Sequence, residues 1–181
     1  MTDRQFEHKI RLIVEGDRQG LKEIYEEYSK MIYSVVFEVL RSRENSEDVM
    51  SDFFLKLWSI ANTYTFGGKH KRWLVTIAKN MAIDFVRKHK NEQFSIDDES
   101  CPAELFVNSS STENTVIEKI SIDSALDTLN NTEREIINLK LMADLSFKDI
   151  ARLLNKPMGT VAWKYRGAMQ KLKRLIREVQ F

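Results

Sequence analysis

Cysteine is almost missing from this chain. The single thiol, Cys101, in 181 residues excludes an internal disulfide framework and fits a reducing compartment. Proline and glycine are scarce, at 2 and 6. So few breakers favour helices over turn-rich β architectures. No apolar run approaches the roughly 20 residues that a membrane-spanning helix needs. The start, Met1-Thr-Asp-Arg-Gln5, reads without the apolar core of a signal peptide. These absences lead to the expectation of a cytoplasmic protein. Histidines number only 3, and His8, His70 and His89 have no metal-ligand spacing, so they are expected at the surface. Gly67-Gly68-Lys69 lacks the phosphate-loop pattern. Cys101 lies in an acidic stretch with no cation to activate it. No catalytic residue, metal or cofactor is therefore expected.

What the sequence does contain is a balanced globular composition, 43% hydrophobic and 30% charged. The net charge of +1 hides an uneven distribution. Residues 1–90 hold 16 basic and 13 acidic side chains, residues 91–121 hold 1 and 7, and residues 122–181 hold 11 and 7. Two mildly basic blocks flank an acidic segment.

Helical periodicity runs through the first block. Leu21 to Leu40 repeats apolar residues at three- and four-residue steps. Asn45 and Ser46 are good N-caps and Glu47 and Asp48 suit a helix start, so a second helix is expected from there. Its inner side would carry Val49, Met50, Phe53, Phe54, Leu57 and Ile60. A loop, Asn62 to Lys69, precedes a third long helix from about Lys71 to His89, with Leu74, Ile77, Ala78, Met81 and Phe85 as its core stripe. Residues 91–121 show no sustained stripe and read as an irregular linker, with a short helix near its end. In the last third, Thr132-Glu-Arg-Glu135 has the capping-box pattern, and Ser146 to Asp149 a weaker version of it.

The C-terminal third combines a short helix, about Ser146 to Leu154, a break at Asn155-Lys-Pro-Met158, and a long basic helix. That is a helix-turn-helix pattern. Every formal charge from Arg152 to Arg177 is positive, and cations near a DNA backbone release counterions. Val161, Tyr165, Ala168, Leu172, Leu175 and Val179 form an inward stripe. Thr160, Trp163, Gly167, Gln170 and Arg174 lie opposite, on a face able to enter a major groove. Charge alone would equally suit a solvated helix; the preceding helix and turn favour DNA.

On the third N-terminal helix, Arg72, Thr76, Lys79, Asn80, Ile83, Arg87 and Lys90 share one face. Cations with an amide donor and nearby aromatics suit single-stranded nucleic acid, where charge tracks the backbone and flat groups stack on bases. For Trp73 taken alone, a core position is favoured.

The run Ser46-Glu-Asp-Val-Met-Ser-Asp-Phe-Phe-Leu-Lys-Leu-Trp58, followed by Arg72 to Arg87, resembles region two of extracytoplasmic-function (ECF) sigma factors. Leu126 to Glu135 and Leu145 to Val161 resemble their region four, in the same order along the chain. The resemblance implies an all-α fold of two small helical domains: a region-two helical bundle over residues 1–90 and a region-four helix-turn-helix over 122–181. A flexible acidic linker over 91–121 would join them and thread the polymerase's RNA path. It implies a sigma factor that binds core RNA polymerase and directs promoter-specific initiation, without enzymatic activity or cofactor. Asp48, Ser51, Asp52 and Leu55 would grip the clamp helices of the largest subunit, and the flap region would be a second contact on the polymerase. The Asn62 to Lys71 loop with Arg72, Lys79, Asn80, Asp84 and Arg87 would engage the melted minus-ten strand, with a base extruded into a pocket. Lys148, Thr160, Trp163, Lys164 and Arg166 would face the minus-thirty-five duplex. The family often has an anti-sigma partner.

The chain departs from the family's habits at three places. Ser51 stands where Gln is usual, Trp163-Lys164 where Ser-Arg is usual, and Gly167 where Arg is usual. A helix-turn-helix regulator that never touches polymerase is the second reading. It accounts for the last third but leaves residues 46–87 as mere scaffold.

Overall fold

A computed structural model of the chain describes residues 1–93 and 128–179, with side chains within 1–90 and 128–175. Among the described residues all regular structure is helical. The chain divides into two compact units, Met1–Asn108 and Ser109–Phe181. No helix among the described residues is long and apolar enough to cross a membrane.

The first unit holds α1 (Asp3–Val14), α2 (Arg18–Leu40), α3 (Arg43–Ile60), a single 3-10 turn (Ala61–Thr63) and α4 (His70–Gln93). Helix α2 is central and packs against the other three. Its buried face, with Ile24, Tyr28, Ile32, Val35 and Val36, meets Phe6 and Ile10 of α1, Val49, Phe53 and Leu57 of α3, and Leu74 and Val75 of α4 in one core. Each large apolar side chain fully removed from water contributes about 1.5–3 kcal/mol. Helix α1 crosses α2 closely because Gly20 has no side chain. A Cβ there would sit 2.5 Å from the Lys9 carbonyl oxygen.

Two sequence expectations for this unit are corrected. Helix α3 begins at Arg43, not at Asn45 or Ser46. Ser42 is the cap, its hydroxyl accepting from the Asn45 N–H at 3.4 Å. Ser46 is fully buried within the first turn and donates its hydroxyl to the Ser42 carbonyl. Good capping residues at 42, 45 and 46 compete, and the buried stripe that starts at Ser46 and Val49 selects the earliest. On α4 the deepest positions are Leu74, Val75, Ala78 and Ala82, all at 0% exposure. Ile77, Met81 and Phe85 are only half-buried. At about 100° per residue the true stripe is rotated by roughly 60° from the expected one. The helix turns its smaller apolar residues to its neighbours and leaves longer ones at the rim.

The second unit holds α5 (Asn131–Leu141), α6 (Phe147–Leu153) and α7 (Met158–Val179). Leu129, Ile137 and Ala168 form its centre, with Tyr165, Met169 and Leu172 packed around them. Ser146 caps α6, accepting from the Asp149 N–H at 3.2 Å. Helix α5 is capped by Asn130, not Thr132. The Asn130 side chain accepts from the Glu133 N–H at 3.0 Å, and the Glu133 carboxylate accepts from the Asn130 N–H at 3.1 Å. The reason is tertiary: Glu133 is also held by the Lys171 ammonium of α7, at 2.8 Å. Burial alone would raise the Glu133 pKa, but that ammonium and the Asn130 amide override it and hold the carboxylate below its ordinary range.

Helix α4 continues through residues 91–93. The rest of the expected linker, with its terminal short helix and Cys101, lies outside the described residues, as does the Val179 side chain.

Candidate functional site

On α3 the apolar residues Val49, Phe53, Phe54 and Leu57 face the core. Asp48, Ser51, Asp52 and Leu55 project on the other side, within an arc of roughly 100°, and all four are exposed. Leu55 is 70% exposed, an apolar side chain flanked by two carboxylates. The Ser51 hydroxyl donates back to the Glu47 carbonyl at 2.9 Å and so adds little reach. Tyr25 of α2 is 46% exposed and lies against Phe54, with ring centroids 4.8 Å apart. It offers an aromatic surface beside α3 that sequence periodicity did not single out.

On α4, Lys79, Arg72, Arg87, Asn80 and Asp84 fall in that angular order within an arc of roughly 140° opposite the core stripe. Asn80, Asp84 and Arg87 are exposed, while Arg72 and Lys79 are half-buried. Arg87 Nη1 lies 3.7 Å from Asp84 Oδ1 with both side chains largely solvated, a pairing of little energetic weight. Trp73 sits within this arc, yet its ring packs edge-on against Tyr64 (5.0 Å) and Phe6 (6.3 Å). It belongs to the rim of the core, as favoured from sequence.

The start of α4 holds a feature that sequence reasoning missed. His70, expected at the surface, is 4% exposed. Its Nε2 lies 2.6 Å from the Tyr28 hydroxyl, its Nδ1 bonds the Asp3 carboxylate, and Phe6 stacks on the ring at 4.7 Å. A neutral imidazole with its proton on Nδ1 satisfies both partners: Nδ1–H donates to Asp3, and Nε2 accepts from Tyr28. Burial pushes the His70 pKa down despite Asp3, and burial likewise pushes the Tyr28 phenol well up. The hydrogen bond from His70 holds the Asp3 carboxyl below its usual value. The other two histidines are exposed, as expected. Among the described residues no cluster of three His, Cys, Asp or Glu side chains could hold a metal ion.

In the second unit the short helix, turn and long helix are present. Asn155 adopts a left-handed φ of 50° at the turn. On α7, Arg166, Trp163, Gly167, Thr160 and Lys164 follow one another around an arc of roughly 160°, opposite the buried Val161 and Ala168. Trp163 is 66% exposed, and the Lys164 ammonium lies 5.9 Å from the centre of its ring. Lys148 is exposed on α6, which packs on α7. Phe147 meets Tyr165 at 5.2 Å and joins the two helices from within.

Residues 24–92 match the family described as Sigma-70 region 2, and residues 119–172 match Sigma-70, region 4. Together they cover well over half of the chain. The chain belongs to the sigma-70 family, in its ECF group. Curated relatives include ECF RNA polymerase sigma factor SigW of Bacillus subtilis, 24% identical over 94% of this chain and 96% of its own length. Another is SigM of the same organism, 27% identical over 86% and 94%. Among solved structures the chain resembles CnrH in its complex with the cytosolic domain of CnrY, with a TM-score of 0.64 at 16% identity over 96% of this chain and 98% of that one. It also resembles the sigma factor RpoE of Bartonella quintana in complex with the anti-sigma factor NepR, with a TM-score of 0.61 at 21% identity over 86% and 96%. These likenesses concern the fold.

Sigma factors serve promoter-specific transcription initiation with RNA polymerase and are not enzymes. The second reading, a regulator without a polymerase-related half, is set aside by the region 2 match over residues 24–92. Within this sigma factor, each group of residues expected to act together shares one helix face, apart from Lys148 on the neighbouring helix. What periodicity missed are contacts between distant segments: Asp3 with His70 and Tyr28, Glu133 with Lys171, and Tyr25 beside Phe54.

Proposed function

We propose that this sigma factor docks on core RNA polymerase through the outer face of α3 and touches promoter DNA with both units. Asp48, Ser51, Asp52 and Leu55 would meet the clamp helices of the largest subunit, and a second contact would involve the flap region. Arg72, Lys79, Asn80, Asp84 and Arg87, with the loop before α4, would take the melted minus-ten strand. Lys148, Thr160, Trp163, Lys164 and Arg166 would read the minus-thirty-five duplex. Residues 1–90 and 122–181 act as the two functional domains, and the acidic 91–121 segment links them in a cytoplasmic protein. The observation that carries this reading is that one chain holds a region 2 unit and a region 4 unit in that order, each with its polar face set opposite its core. An anti-sigma factor is a further partner in this reading, supported by the fold shared with sigma factors solved in complexes with CnrY and NepR.

The test is charge reversal. Asp48→Lys with Asp52→Lys should weaken association with core enzyme by about tenfold or more, since like charge replaces complementary charge across an interface. Helical content should be unchanged, because both residues are exposed. Undiminished core binding by the double variant removes α3 as the docking face.

A further inference from the structure

Helix α1 lies outside the span matched to region 2, which begins at residue 24. Yet one stripe of α1, at four-residue spacing and so on one face, holds the loop that leads into α4. The Glu7 carboxylate accepts the Gly67 N–H at 2.6 Å. The Arg11 guanidinium lies 5.1 Å from the centre of the Phe66 ring. Asp3 accepts from the His70 backbone N–H at 3.4 Å and from its ring. Asp3, Glu7 and Arg11 thus take His70, Gly67 and Phe66 in turn, one residue per helical turn. The loop needs such support. Gly67 adopts a left-handed φ of 76°. Phe66 is 48% exposed, so its ring gains little by burial.

We propose that this α1 stripe is a brace that presets the loop for the unpaired promoter strand, with Glu7 and Arg11 as positioning residues for base preference. The inference rests on the reading that the loop and the α4 face take that strand. A loop already held in its bound shape loses less chain entropy on binding than a free one. Arg11 also brings a cation to a loop that must approach a polyanion, and its guanidinium faces an aromatic ring in the arrangement that favours both. Neither residue needs to touch a base. Their effect passes through Gly67 and Phe66.

The experiment uses holoenzyme reconstituted from the full chain and core RNA polymerase. The probe is labelled single-stranded DNA selected by the wild-type holoenzyme from a randomised pool, with core enzyme alone as background. Glu7→Leu should weaken binding of that DNA by about tenfold, the scale of one charge-assisted hydrogen bond. Arg11→Ala should weaken it by about two- to fivefold, the scale of an exposed cation–π contact, and reselection should give a flatter base preference in both. Glu7→Gln keeps an acceptor oxygen for Gly67 and should stay within about twofold of wild type. Affinity for core enzyme and helical content should be unchanged in all three, with thermal unfolding lowered only by the one contact each variant removes. Unaltered strand affinity and preference in Glu7→Leu and Arg11→Ala, while Asn80→Ala and Arg87→Ala weaken binding, overturns the brace and leaves the strand reading standing. If all four variants bind normally, the strand reading fails and the brace with it. A Glu7→Gln variant as weak as Glu7→Leu, or a parallel loss of core affinity, also overturns the proposal.

Discussion

The two units differ in how they settle their polar faces. In the first, the core is large and strongly aromatic. Among the described residues Phe6, Phe53, Ile10, Ile24, Ile32, Val36, Leu57, Leu74 and Val75 are fully buried there, against Ile136, Ile150 and Val161 in the second. The first unit buries a polar pair, His70 and Tyr28, tied to the exposed Asp3 carboxylate, and also carries the candidate faces on α3 and α4. Among the described residues the second unit has three helices, one of them only 7 residues long, and its candidate surface chemistry sits mostly on α7. Small domains bury a smaller fraction of their surface and are correspondingly marginal. Among the described residues the α7 face rests on a small core, Val161 and Ala168 with Tyr165, Met169 and Leu172 around them, and on the Glu133–Lys171 pair, whereas the α3 and α4 faces rest on more fully buried side chains.

The largest expected effects probe that difference. Phe53→Ala should cost the first unit about 3–5 kcal/mol, and Ile150→Ala should cost the second about 2–5 kcal/mol. Amide exchange followed separately in each unit should show the second unit losing all slow protection in Ile150→Ala. In Phe53→Ala the first unit should exchange faster but remain protected. Slow exchange persisting through the second unit of Ile150→Ala would break the comparison.

A smaller effect separates function from packing on α7. Trp163 is exposed, and nothing lies within 4 Å of a Cβ added at Gly167, one turn on. The ring therefore has room to lie in a groove, where an apolar contact with a thymine methyl discriminates bases. Trp163→Ser should leave core binding intact and shift the preferred minus-thirty-five bases by about 1–3 kcal/mol at the affected position. Selection from a randomised minus-thirty-five library with both proteins checks this. Identical selected sequences would assign the tryptophan no reading role.

The smallest effect concerns the buried His70–Tyr28 pair of the first unit. Burial lowers the His70 pKa from its ordinary 6.5, so below that pH the unfolded chain binds a proton that the folded unit resists. The associated stability is present above pH 6.5 and is lost as pH falls through the folded value. The charged and titratable groups around the ring are Asp3, Tyr28, Lys71 and the N-terminal amine. Urea midpoints of the first unit should fall between pH 7.5 and 5.5, and His70→Phe should flatten that dependence. An equal slope in the variant would assign the pH sensitivity to another group.

Much of the candidate site's placement on helix faces was legible because helical faces are a local property. The resemblance singled out Asp48, Ser51, Asp52 and Leu55, and the three- and four-residue step of α3 accounts for their shared exposed face; Trp163 is exposed because Val161, Tyr165 and Ala168 claim the opposite side. The region 2 and region 4 patterns were also readable as linear runs. Where the reading slipped, several local choices were nearly equal in energy. Ser42, Asn45 and Ser46 all cap well, and Asn130 competes with Thr132. The long apolar side chains of α4 make a plausible stripe rotated by roughly 60° from the true one.

By itself, the sequence determined the all-helical class, the two-part layout, the basic character of α7 and the outward faces of α3 and α7. Breaker content, charge and periodicity are all written within one or a few helical turns. Only the tertiary structure decided the rotation of α4, the caps of α3 and α5, the burial of His70 and the stripe by which α1 holds the loop before α4. Each depends on partners far apart in the chain: Asp3 with His70, Glu7 with Gly67, Arg11 with Phe66, Glu133 with Lys171. A hydrogen bond or ion pair across such a separation leaves no period in the sequence, and its free energy exists only once the helices have packed.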